Sequence, residues 1–345
     1  MSGIIGWRRG FGLLSQSNVG GLLLLTTVSW LIYQSLGDGF LSSYNLFTLS
    51  QLASETAIIG FSQLAVVAIG RLNLAVGAIG VGVVMLTGWL IGVMGLDPII
   101  GLLAGLVLGG AMGGLLGLLE LKTGLSSFIV TLAMSSIYSG IVLIASGGGA
   151  VSSLPAVVTD FSSDVLLVPA LSRLVIPALA ITLLLWLLYH RSSWGWKMLA
   201  VGANQRAAEL SGIRVPRILI ASFALSGVLA AVAGFLEMSR VAAALPSLGV
   251  GWLLSSLVVP ILGGTALAGG AVSIEGALVA ALFIESINSG LVSLNVPAYW
   301  QQFAQAIVLL VAVMSDQSRR DRRRRPGSAA RAAATPDGEA RHVVP

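Results

Sequence analysis

Ten apolar stretches, each close to the length that a helix needs to cross a bilayer, limit this chain to one kind of fold. They lie at about 20–36, 52–69, 76–95, 98–118, 126–146, 166–189, 218–239, 251–268, 272–294 and 299–315. A helix rises about 1.5 Å per residue, so roughly 20 apolar residues cross the ~30 Å hydrocarbon core. Lipid offers no partner for a backbone amide, and continuous apolar runs are the signature of helices rather than of alternating barrel strands. The reading is an all-α, polytopic membrane protein with about ten transmembrane helices. A charged fraction of 10% excludes the soluble globular class, where about 25% is usual. The 43 glycines suit helices that approach closely in lipid.

Charge then orients the chain. With both termini in the cytoplasm, 17 of the 19 basic residues fall inside and only Arg173 and Arg240 outside. That asymmetry is the positive-inside signature. It divides the chain into a cytoplasmic segment at 1–19, a transmembrane domain at 20–315 and a basic tail at 316–345. The tail has too little apolar surface to fold and is expected to be disordered and to favour anionic lipid. No stacking aromatics interleave its arginines, so nucleic acid is not an expected partner. Two junctions are too short for ordinary loops. Only Arg71, Asn73 and glycines separate the second and third stretches, and only Gly269-Gly270 the eighth and ninth. Either could be a broken or re-entrant helix.

The one long polar interruption is a cytoplasmic loop at 190–217. Within it Gly202 suggests a turn, and Asn204 suits a helix N-cap. Gln205–Leu210 favours a short helix, Gly212 suits its C-terminal end, and Pro216 suits the first turn of the next span. Six residues cannot hold a helix alone, so its own membrane domain or a docked partner must support it. Ala207 and Ala208 leave room for close packing.

Chemistry is sparse. The chain has no cysteine and two histidines, His190 and His342, which excludes thiol chemistry and argues against a metal site. Neither Lys122 nor Lys197 follows a glycine-rich phosphate loop. No histidine lies in a span to activate a serine. The expectation is no catalytic residue, no metal and no cofactor bound by this chain, with any ATP used by a partner. Among the carboxylates, Glu120 and Glu237 lie at helix ends beside Lys122 and Arg240, and Glu55 near the outer start of the second span. Glu275 and Glu285 lie well inside the ninth stretch and point some 80° apart, since ten residues make about 1000° of helix. Carboxylates in spans are functional candidates; a helix-end or subunit-interface position is the plainer alternative.

The run Ala200-Val201-Gly202-Ala203-Asn204-Gln205-Arg206-Ala207-Ala208-Glu209-Leu210-Ser211-Gly212-Ile213 resembles the coupling loop of ribose-type ABC sugar importer permeases. Further matches follow in order. They are Ser226-Gly227, Ala233-Gly234, Pro246 with Gly249 and Gly251, Leu262–Gly270, and Asn288-Ser289-Gly290-Leu291. Earlier, Leu72–Gly77 is similar to the family's Ile-Asp-Leu-Ser-Val-Gly. The resemblance spans about residues 50 to 315. It implies a type II importer-like permease in a bacterial inner membrane that moves a monosaccharide or related polyol by alternating access. Implied partners are a second permease copy or close paralogue, cytoplasmic ATPase subunits and an extracytoplasmic substrate-binding protein. It places ATPase coupling at Asn204, Ala207, Ala208, Glu209, Ser211, Gly212 and Ile213. The candidates for the translocation pathway are Asn73, Gly77, Gly263, Gly264, Gly269, Gly270, Glu285 and Asn288.

The chain departs from the pattern where Asn73 replaces an Asp, where Leu253 replaces a Glu and where Glu275 replaces a small or apolar residue. Alternatives are a branched-chain amino acid importer permease, a stand-alone ion-coupled carrier and a membrane scaffold. Finally, Ile69–Ala78 aligns without gaps on Leu262–Ala271. Chance in a Gly-, Ala- and Leu-rich chain and a duplicated transporter plan both explain that echo.

Overall fold

A computed structural model of the chain describes residues 18–324, apart from 38, 167 and 298. Among them the ordered structure is helical, with two isolated antiparallel bridges, Val151–Ala244 and Val165–Ser172. The helices are α1 (Asn18–Leu36), α2 (Ser43–Val67), α3 (Val76–Gly88, running on as a π turn over Trp89–Val93), α4 (Pro98–Thr123), α5 (Ser127–Ser146) and α6 (Ala156–Ser163). After them come α7 (Val175–Arg191), α8 (Ser193–Ala203), α9 (Gln205–Leu210), α10 (Val215–Val241), α11 (Trp252–Leu262, preceded by a 3-10 turn over Leu248–Gly251), α12 (Ile274–Ser293) and α13 (Tyr299–Arg324).

Six helices, α1, α3 with its π turn, α4, α5, α10 and α12, are long and apolar enough to cross a membrane. The pair α7 and α8, bent by 72° at Ser192, makes a seventh if taken as one span. The remaining expected spans are helices that differ in kind. Helix α2 is long, but it buries Gln51, Glu55 and Gln63. Helix α11 has only 11 residues, and α13 ends in an arginine run.

Helix α10 is the hub, packed on α2, α3 and most extensively on α4. Helix α4 carries glycine at 101, 105, 109, 113 and 117, and all five are buried. A spacing of four lays them on one face and opens a groove for a neighbouring backbone. A Cβ placed on Gly109 would lie 2.5 Å from the Gly227 carbonyl oxygen and 2.8 Å from Ala231 Cβ. Neither helix tolerates a larger side chain there.

Several boundaries depart from expectation, each for a local reason. Helix α2 starts at Ser43 rather than 52, because the Ser42 hydroxyl accepts from Asn45 N at 3.3 Å and caps a polar first half. Gln51 is satisfied in that half by donating to the Ser162 carbonyl at 2.7 Å. This places Glu55 three turns into the helix, not at its outer start. Helix α7 starts at Val175 rather than 166; before it, the Val165–Ser172 bridge and the Asp164–Arg173 ion pair fold the chain back on itself. Helix α11 stops at Leu262, so residues 263–273, not two glycines, separate it from α12. Glu275 then falls in the first turn of α12 and is exposed, where the helix dipole favours an acid. The tail departs as well. Helix α13 runs to Arg324, so residues 316–324 are helical rather than disordered; arginine is a good helix former. Residues 325–345 and the N-terminal segment through 17 lie outside the described residues.

Candidate functional site

The basic loop folds as two short helices. Helix α8 begins on Ser192, whose hydroxyl accepts from Trp194 N and Gly195 N at 3.1 and 3.3 Å. Gly202 lies inside α8 rather than in a turn. The Asn204 side chain accepts from Ala207 N at 3.0 Å and starts α9. Gly212 ends it with φ +80°. There Gly212 N donates to the Glu209 carbonyl and Ile213 N to the Ala208 carbonyl, at 3.0 and 3.1 Å. This crossed pair closes a helix on a left-handed residue. Ser211 Oγ donates to the Ala207 carbonyl at 2.9 Å. Ala208 is buried in the apolar core, against which Ile213 is also packed. Asn204, Ala207, Glu209, Ser211 and Gly212 are exposed. Within the helix Glu209 accepts from Gln205 at 3.3 Å and pairs with Arg206 at 3.6 Å. Replacing Asn204 with alanine is expected to cost about 1 kcal/mol of local stability. Faster amide exchange at residues 206–208 would report that loss; unchanged exchange would show the cap to be dispensable.

The two glycine loops meet α8 at one crossing. Gly270 N donates to the Ala68 carbonyl at 3.0 Å. A Cβ on Gly202 would lie 2.5 Å from Gly270 N, and one on Gly269 2.9 Å from Gly70 Cα. Gly70, Gly264, Gly269 and Gly270 all have positive φ. Gly263 backs onto the start of α12, where a Cβ would lie 2.5 Å from the Gly276 carbonyl carbon. Thus Gly263, Gly264, Gly269 and Gly270 belong to a backbone junction beside the loop helices. The two stretches that echo each other in sequence lie side by side there.

Beyond that junction lies a cavity of about 340 Å³ between α3, α5 and the start of α11. Leu74, Gly77, Val81, Ser135, Ser139 and Leu253 are among its lining residues. Gly77 and Gly249 touch backbone to backbone, so the first turn of α3 and the turn before α11 converge on the cavity. Helix starts present unpaired N–H donors. The lining carries two hydroxyls and no charged side chain.

Of the other expected pathway residues, Asn73 is fully buried and braces the wall. Its Nδ2 donates to Ser226 Oγ at 2.9 Å and its Oδ1 accepts from Ala75 N at 2.9 Å. The Gln63 amide pairs with the Asn73 backbone through N–H···O contacts of 2.8 and 3.3 Å. Glu285 and Asn288 do not line the cavity. Glu285 is buried between α2 and α12, accepting from Thr56 Oγ1 at 2.7 Å and from Asn288 Nδ2 at 3.1 Å. Next to Thr56, Glu55 accepts from Arg240 Nε at 2.9 Å through both oxygens. Arg240 also faces Glu237 at 3.7 Å, and Glu237 accepts from Trp252 Nε1 at 2.8 Å. Arg240 is therefore part of the interior network rather than of an outer loop. Glu120 pairs with Arg71 at 2.5 Å, not with Lys122.

Sequence reasoning did not single out Ser135, Ser139, Arg71 or Trp252. A spacing of four on an apolar helix was the available signal for the two serines. Arg71 and Trp252 carry no local signal, because their partners lie 49 and 15 residues away.

A profile of the family described as branched-chain amino acid transport system, permease component, matches residues 45–313. The chain belongs to this permease family. The permease is 31% identical to the ribose import permease protein of Bacillus subtilis (strain 168) over 84% of this chain and 89% of that one. It is 32% identical to the D-allose transport system permease protein of Escherichia coli (strain K12), over 86% and 91%. It is 30% identical to the L-arabinose ABC transporter permease protein of Azospirillum brasilense, over 91% of each. Its fold matches a metal-chelate-type ABC transporter solved in an inward-facing conformation, with a TM-score of 0.52, 17% identity and coverage of 86% and 98%. The all-α importer-permease architecture read from the sequence therefore stands.

Proposed function

We propose that this permease carries a monosaccharide or related polyol across the membrane, driven by ATP hydrolysis in a separate subunit. The observation that carries the reading is the cavity wall: hydroxyls at Ser135 and Ser139, converging helix starts and no charged side chain. A sugar offers hydroxyls to such a wall and brings no charge that needs a counter-ion. An amino acid brings two charges, and a wall without a charged side chain offers neither of them a counter-ion. Relatives named for ribose, allose and arabinose support the same choice.

In this mechanism the exposed face of α9, with Ala207, Glu209, Ser211 and Gly212, receives the ATPase. Asn204 holds the helix in shape, and buried Ala208 and Ile213 fasten it to the membrane domain. An extracytoplasmic binding protein delivers solute, and a second copy of the permease completes the path. The basic tail rests on anionic lipid of a bacterial inner membrane.

The test is uptake into proteoliposomes holding the permease, its ATPase and its binding protein. ATP-dependent uptake of labelled ribose, allose, arabinose or fructose is expected, with competition by unlabelled sugar and none by leucine. Competition by leucine would reject the sugar assignment. Uptake by the permease alone under a proton or sodium gradient would reject the ATP-driven one.

A further inference from the structure

Arg71 stands in the short break between α2 and α3. Its backbone N–H donates to the Val66 carbonyl at 3.1 Å and closes the end of α2. Its side chain forks. Nε meets Glu120 Oε1 at 2.5 Å, and Nη2 donates to Gln205 Oε1 at 3.2 Å. Glu120 lies in the last turn of α4, which the glycine face fixes against α10. Gln205 is the first residue of α9. Among the described residues, this is the one side-chain hydrogen bond that ties α9 to a different element.

The two arms differ in character. The Glu120 side chain is 7% exposed and its Oε2 is buried with no hydrogen-bond partner, so Arg71 is its compensating charge. Arg71 itself is one-third exposed. The Gln205 arm lies at the surface, where water competes and a small displacement of α9 would load or release it. One arm is an anchor and the other a contact that can respond.

The chain beyond Arg71 leads directly to the cavity. Leu72 N donates to Ser127 Oγ at 3.3 Å and Asn73 binds Ser226. Leu74 N donates to Thr131 Oγ1 at 3.1 Å, and Leu74 lines the cavity. Two residues, Leu72 and Asn73, separate the arginine that holds α9 from the wall residue Leu74.

We propose that Arg71 is a positioning residue for transport, a strut anchored on Glu120 that passes movement of α9 to the cavity wall at Leu74. The assignment rests on the importer reading above. A single ammonium cannot reproduce the fork, so Arg71→Lys keeps the charge beside Glu120 and loses the arm to Gln205. Gln205→Ala removes the same arm from the other side. Gln205→Glu retains an acceptor.

In proteoliposomes holding the permease, its ATPase and its binding protein, solute imported and ATP hydrolysed are measured together, with ribose, allose, arabinose and fructose as probes. The solute-to-ATP ratio is expected to fall about tenfold in Arg71→Lys and in Gln205→Ala, the factor set by one charge-assisted hydrogen bond. The double variant should be no worse than either single one, and Gln205→Glu should hold the ratio. A ratio unchanged in both single variants, or additive losses in the double, overturns the strut and leaves the importer reading in place. Absence of ATP-driven uptake by the unaltered assembly overturns the importer reading itself. A merely structural Arg71 would lower yield and melting temperature without this pattern in the ratio.

Discussion

Gly227→Val is expected to destroy the fold rather than weaken it. Any side chain at 227 enters the backbone of α4: a Cβ there would lie 2.8 Å from the Gly109 carbonyl carbon and 3.1 Å from Gly113 Cα. Backbone cannot rotate aside as a side chain does, so α4 and α10 must separate along the contact built from Gly109, Gly113 and Gly117. Inserted bulk in a packed core costs about 1–3 kcal/mol even where side chains can adjust. Here the expected loss exceeds that range. The substitution also falls beside Ser226, which anchors Asn73, so the cavity wall loses its brace at the same step. Thermal unfolding and monodispersity in detergent measure the effect. Gly114→Ala is the control, because its Cβ would meet only Ala224 Cβ at an ordinary 3.8 Å. Equal melting of the two variants would refute the close approach.

That glycine face also shows what hydropathy leaves out. The apolar stretches were found because transfer into lipid depends on side-chain chemistry, which is local. Which faces touch depends on shape, and five glycines spaced by four carry that information without changing hydropathy. Helix α2 was shortened by the same blindness. Its first turns are polar because they pair with protein, Gln51 with Ser162 and Asn45 with Phe40 and Ser289, rather than with lipid. Helix α9 was legible in detail because cap, helix and terminator are written in consecutive residues, Asn204 to Gly212. Gly202 was misread for the opposite reason. Its glycine serves a contact with Gly270 and Ala68, far away in sequence, so a turn was inferred where a helix continues. The cavity was legible at Gly77, where a motif marks the start of α3. Asn73 and Glu285 drew attention as polar residues in apolar surroundings, yet each is bound to protein partners, Asn73 behind the cavity wall and Glu285 between α2 and α12. Burial with full pairing and exposure to solute look alike in a one-dimensional string.

Arg240→Ala is the second large effect expected. The Glu55 side chain is 5% exposed, and Arg240 supplies its cation through two 2.9 Å contacts. Removing one member of such a pair leaves a buried charge uncompensated, at a cost of about 3–5 kcal/mol. Combining Arg240→Ala with Glu55→Gln removes the orphaned charge and should recover most of that stability. If the double variant melts no higher than Arg240→Ala alone, the pair is not the source of the loss.

The consequence for transport follows from the third member. Arg240 faces Glu237, and Glu237 accepts from Trp252 Nε1. Trp252 is the first residue of α11, and its ring lies against Gly80 so closely that a Cβ there would stand 2.7 Å from Cη2. Its neighbour Leu253 lines the cavity. Arg240→Lys keeps a charge beside Glu55 but cannot fork toward Glu237 as well. It is therefore expected to fold and to lose uptake, with Trp252 emission shifting as its hydrogen bond loosens. Full uptake by Arg240→Lys would separate the network from the cavity and leave it a purely structural tie. Loss of uptake in a well-folded Arg240→Lys, together with recovery of stability but not of uptake in the double variant, would place one polar network in two roles. It would neutralise a buried carboxylate and also hold the helix start that shapes the solute path.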